Sequence, residues 1–160
     1  MDNKTENKGK YGWLKATGIV VLSVVAFAFA GGIGKLIGKM AVEEVGVGYN
    51  EGKKTAAISL GIKKAVEAIR DQAPIQIDEI TTLRDAMAFE NKILYMMELN
   101  YNILPEEIPE FKSELEISNR KNVCADQDTR KLIDVGGVMS WRYLTNNGET
   151  FTVTVSTCEN

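Results

Sequence analysis

The sequence predicts an α+β fold: an N-terminal transmembrane helix, then a small domain ordered helix, two strands, helices, two strands. Three observations predict it. Residues 16–34 form a 19-residue run without a charge, close to the start of the 160-residue chain. Ile58, Ile62, Ala65, Val66 and Ile69 recur at helical spacing further on. Near the C-terminus, Phe151, Val153 and Val155 alternate with Thr152, Thr154 and Ser156, the period-2 signature of a strand with one buried face.

The charge-free run is long enough for a membrane span, since about 20 apolar residues cross a hydrocarbon core of roughly 30 Å. Lys4, Lys8, Lys10 and Lys15 precede it, with Tyr11 and Trp13 at its edge, while only Lys35 and Lys39 follow closely. That bias places the N-terminus in the cytoplasm. The division is then a basic cytoplasmic leader at 1–15, a transmembrane helix at 16–42, a linker at 43–51 and a periplasmic domain at 52–160, anchored in the inner membrane. A competing reading comes from Ala28-Phe29-Ala30, an A-x-A tripeptide of the kind cut by signal peptidase. Cleavage near residue 30 would release a mature chain beginning near Gly31. If the span is retained, Ala26, Ala30, Gly34 and Gly38 fall at four-residue spacing and offer a small-residue face for helix packing or self-association in the membrane.

Charge is unevenly divided. Residues 1–42 hold six lysines against two acids, and the remainder holds thirteen basic against twenty acidic residues. An acidic exported domain is a poor match to nucleic acid, whose phosphates require a basic surface. No histidine is present, which removes the commonest general acid/base and metal ligand. The expectation is a non-enzymatic domain that uses no cofactor. Cys124 and Cys158 both lie in the exported part and read as one disulfide in an oxidising compartment; two free thiols or a redox pair are the alternatives.

The first soluble helix is expected over 52–71, with Pro74 beyond its end. Ile75 and Ile77 alternate with polar neighbours, and strands follow over 81–89 and 92–101 with Glu90-Asn91 as the turn. Asn91 is the natural candidate there for left-handed backbone. On the second strand Ile93, Tyr95, Met97, Leu99 and Tyr101 share a face. Leu104, Ile108, Phe111 and Leu115 then mark a helix over 104–117, with Pro105 suited to its first turn and Pro109 less comfortable, a residue that would move the start to itself. Residues 119–122 read as a polar turn. A short helix follows, N-capped by Asp126 and ended before Gly136. Strands at 138–145 and 150–157 close the chain around Asn146-Asn147-Gly148-Glu149, where Asn-Gly suits a type I′ hairpin. The economical arrangement is a four-stranded antiparallel sheet with helices on one face.

The exported half resembles a broad set of small, uncharacterised bacterial envelope proteins that carry an N-terminal hydrophobic segment. The residues that carry the likeness begin with Gly32-Ile-Gly-Lys-Leu-Ile-Gly-Lys, then Pro74, Asp78, Thr81 and Leu83, and Asn91-Lys-Ile-Leu-Tyr95. They end with Val123-Cys-x-Asp126-x-Asp128-Thr-Arg130, Gly136, Tyr143, Gly148 and Cys158. The resemblance implies an exported α+β domain closed by a disulfide. Where relatives carry arginine directly after the threonine of the second motif, Thr82 stands here and Arg84 lies further on.

Few residues invite chemistry. Asp126 and Asp128 are too few for a cation site. Ser118-Asn119-Arg120-Lys121 matches a bare S-x-x-K string without its companion motifs. Asp78 and Glu79 have no surrounding constellation. Arg130, Trp141 and Tyr143 are the candidate interaction residues, Arg130 because a guanidinium can take a carboxylate. The expected function is protein binding or scaffolding in a cell-envelope complex. The alternative is an inhibitor or immunity protein against a basic toxin or enzyme; a small-ligand binder or enzyme is the third reading.

Overall fold

The computed structural model describes residues 51–159. The leader, the membrane segment and its Ala26, Ala30, Gly34 and Gly38 face lie outside the described residues, as does all of the linker except Glu51. Among the described residues no helix is long and apolar enough to cross a membrane.

Glu51 opens α1 (Glu51–Arg70), whose expected stripe is the buried one: Ile58, Ile62, Ala65, Val66 and Ile69 are almost inaccessible. The chain then forms β1 (Ile75–Gln76), β2 (Thr81–Phe89) and β3 (Lys92–Leu99). Next come α2 (Ile108–Ala125), α3 (Gln127–Asp134), β4 (Val138–Thr145) and β5 (Thr150–Val155). The five strands form one sheet in the order β1-β2-β3-β4-β5. The expected four-stranded antiparallel sheet is therefore corrected twice. Ile75–Gln76 adds a fifth, edge strand, and β3 pairs with β4 in parallel from Lys92↔Val138 to Leu99↔Thr145. A parallel pair needs a crossover of a dozen or more residues. Here α2 and α3 supply it.

Register places the side chains. Thr81, Leu83, Ala86 and Ala88 of β2 align with Leu99, Met97, Tyr95 and Ile93 of β3. These align in turn with Thr145, Tyr143, Trp141 and Met139 of β4, and Phe151, Val153 and Val155 complete the surface on β5. This inner face receives α1 on β2 and β3, α2 on β5, and α3 on β4. Tyr95 stacks on Trp141 at 5.6 Å and Tyr143 on Phe151 at 5.1 Å, while Phe111 of α2 meets Phe151 edge-on at 5.8 Å. Aromatic pairs of this kind contribute about 0.5–1.5 kcal/mol each beyond their buried area.

Three local expectations are revised. Residues 119–122 are helical, because α2 continues its buried stripe from Leu115 through Asn119 to Val123. At the β2–β3 turn, Glu90 and not Asn91 takes the positive φ of 45°. Asn91 instead spends its side chain on a longer-range bond, Nδ2 donating to the Gly136 carbonyl at 2.6 Å. The final hairpin is not type I′, since only Gly148 has positive φ there. Gly148 N–H donates to the Thr145 carbonyl, and Thr145 N–H to that of Glu149, giving a three-residue loop with its left-handed position at glycine.

The cap of α3 is as expected: Asp126 Oδ1 accepts from the backbone N–H of Asp128 and Thr129. Gly137 allows β4 to leave this helix closely, for a Cβ there would lie 2.5 Å from Leu132 Cγ and 2.7 Å from its carbonyl oxygen. Cys124, one residue before the end of α2, is bonded to Cys158 in the tail beyond β5, 34 positions away. Replacing both cysteines by alanine is expected to lower unfolding free energy by about 2–4 kcal/mol. Urea denaturation of the full chain checks this, and an unchanged midpoint would show that the tail adds nothing to the fold.

Candidate functional site

The alternation that fills the inner face also determines what lies on the other one. Outward-facing positions are Met87 and Phe89 on β2, Leu94 and Met96 on β3, and Val138 and Leu144 on β4. Met87, Phe89 and Leu144 are 41–48% exposed, and the other three are half-buried. Register makes Met87 and Leu94 neighbours, with Met96 next on the same face of β3, while Lys92 stands between Phe89 and Val138 and Leu144 lies level with Glu98. All three helices pack on the inner side, so no described element covers this patch. Exposed apolar side chains gathered on one sheet face are the kind of surface that marks interaction sites, and methionine adapts its shape to a partner.

Polar groups frame the patch. A β-bulge between Leu83 and Asp85 makes Arg84 an extra residue in β2, and its guanidinium pairs with Glu98 of β3. That hydrogen bond raises the Arg84 pKa and lowers that of Glu98. Asp85 is engaged by Arg70 of α1 at 2.9 Å. Both carboxylates at this end are thus neutralised. Lys92 and Arg142 have no ion-pair partner among the described residues.

The candidate interaction residues read from the sequence do not assemble. Trp141 and Tyr143 are 8% and 3% exposed and belong to the inner-face core. Arg130 is more than half exposed on α3, 3.7 Å from Asp134 one turn along the same helix. Asp78 is a turn-former: its Oδ1 accepts from the N–H of Ile80 and Thr81. Among the described residues no group of three or more histidine, cysteine or acidic side chains could hold a metal ion. The outer patch has a sequence signal, however. Ile93-Leu-Tyr-Met-Met97 is an unbroken apolar run, the pattern of a strand covered on both faces.

No protein-family model and no curated protein matches the sequence. Solved structures that match the fold include a protein described as secreted from Pseudomonas aeruginosa, with a TM-score of 0.56 at 13% identity over 66% of this chain and 96% of that one. Two Type II secretion system pilotins match as well. One is AspS of Vibrio cholerae, with a TM-score of 0.50 at 19% identity over 66% of this chain and 94% of that one. The other is EpsS of Vibrio vulnificus, with a TM-score of 0.53 at 17% identity over 68% of this chain and 98% of that one. These likenesses establish the fold.

Tyr143 also bears on stability. Burial pushes its hydroxyl up to about 12, the Asn119 amide pulls it back, and the Asp78 charge adds to the rise. Asn119 Nδ2 nevertheless closes no hydrogen bond of normal geometry. Burial raises the Tyr95 pKa too. A raised pKa means that the unfolded chain loses these protons first, so stability is complete below the ordinary tyrosine value of 10.0 and falls as pH rises through about 12. Denaturation midpoints measured from pH 9 to pH 12 are expected to decline, less steeply in Tyr143→Phe. An identical slope in that variant would remove Tyr143 as a cause.

Proposed function

We propose that this chain is a non-enzymatic, exported protein-binding module of the bacterial envelope, and that the outer face of β2, β3 and β4 is its contact surface. The observation that carries the reading is the uncovered apolar patch on the central strands. The shared fold of two secretion-system pilotins supports an envelope setting and a partner that is a protein. The charge-free run at 16–34 and its basic leader support delivery across the inner membrane, with the N-terminus left inside. The Cys124–Cys158 disulfide suits an oxidising compartment. Inhibition of a basic target is the less favoured reading, because the unpaired charges beside the patch are cationic despite the acidic balance of the domain.

The test is affinity purification of the full chain in mild detergent from its native envelope, with Leu94→Asp/Met96→Asp compared against the parent. The variant is expected to lose co-purifying protein at least tenfold while keeping its thermal midpoint within a few degrees. Equal recovery from a folded variant would move the contact surface elsewhere.

A further inference from the structure

The charges on the outer face specify the chemistry of what binds there, an inference that rests on the protein-binding reading above. Five charged side chains belong to this face: Arg84, Asp85, Lys92, Glu98 and Arg142. Both acids are already engaged, Glu98 by Arg84 and Asp85 by Arg70. Lys92 and Arg142 remain, and Arg142 is exposed. They flank the patch. Lys92 sits in the row of Phe89 and Val138, while Arg142 is level with Met96, four residues along β3. At roughly 3.3 Å per residue that separation is about 13 Å along the strand. Leu94 and Ser140 lie between them.

The exported part as a whole is acidic, with twenty acids against thirteen bases in residues 43–160. An apolar surface whose free charges are all cations selects against basic segments and favours acidic ones, by complementarity and by the cost of juxtaposing like charges. We infer that the outer face takes an acidic amphipathic polypeptide segment, its apolar side chains on Met87, Leu94 and Met96 and its carboxylates on Lys92 and Arg142. A guanidinium can grip a carboxylate through two parallel hydrogen bonds, so Arg142 is the stronger of the two contacts. A second copy of this chain fits less well, since stacking two such faces would bring four unpaired cations into one interface.

The experiment is selection of a phage-displayed library of random peptides on the full chain held in phosphatidylcholine nanodiscs, so that no detergent competes for the apolar face. Three baits are run in parallel: the parent, Lys92→Glu/Arg142→Glu, and Leu94→Asp/Met96→Asp, each confirmed as folded by circular dichroism. The expected result is enrichment of peptides with aspartate or glutamate flanking apolar residues. Charge reversal should weaken their binding at least tenfold and select basic peptides in their place. Apolar peptides without acidic bias, lost on Leu94→Asp/Met96→Asp and indifferent to charge reversal, would overturn the acidic specificity while leaving the binding face intact. Enrichment that survives both variants would overturn the binding face as well.

Discussion

β3 and β4 run side by side in the same direction over eight residue pairs, and no tight turn can join two strands that way. The chain must leave the end of β3, cross the sheet and re-enter at Val138. Residues 108–134 make that crossing as α2 and α3. Both helices lie on the side that α1 also covers, so one parallel pairing separates a fully helix-covered face from one that no described element covers. The aromatic stacks, the cap of α3 and the Cys124–Cys158 link all serve the covered side. Among the described residues the outer side has only strand side chains.

That asymmetry explains why the most conspicuous aromatic residues lie in the core. Trp141 and Tyr143 are large and lie on a strand, which makes them attractive as contacts, but their parity on β4 is that of Met139 and turns them inward. The adjacent parity holds Ser140, Arg142 and Leu144. On β3 the same rule separates Tyr95 and Met97, which are core, from Leu94 and Met96, which face outward. Which residues are exposed follows from strand parity more than from residue type.

Much of this was legible in the sequence. Helical spacing located α1, strand alternation located β3 and β5, strand character and turns bounded β2 and β4, and Asp126 marked the start of α3. What was not legible depended on long-range pairing or on a polar residue in an apolar role. Parallel and antiparallel neighbours leave the same alternation on β4, so local pattern cannot distinguish them. Asn119 broke the apolar stripe of α2 and suggested a turn, although its backbone simply continues the helix toward Cys124. Asn91 is suited to left-handed backbone, yet its side chain bridges to Gly136, and Glu90 takes the strained position. On β3 the sequence expectation concerned one face only, Ile93, Tyr95 and Met97; the apolar Leu94 and Met96 between them acquire meaning once the helices are known to occupy only one side of the sheet.

The central claim is that the outer face is buried by a partner in the envelope. Oxidative footprinting of the methionines tests it most directly, because Met87 and Met96 lie on that face while Met97 and Met139 are in the core. The account predicts that Met87 and Met96 oxidise readily in the purified chain and are protected severalfold in the native envelope, with Met97 and Met139 slow in both. Equal oxidation of Met87 and Met96 in the two settings would contradict it.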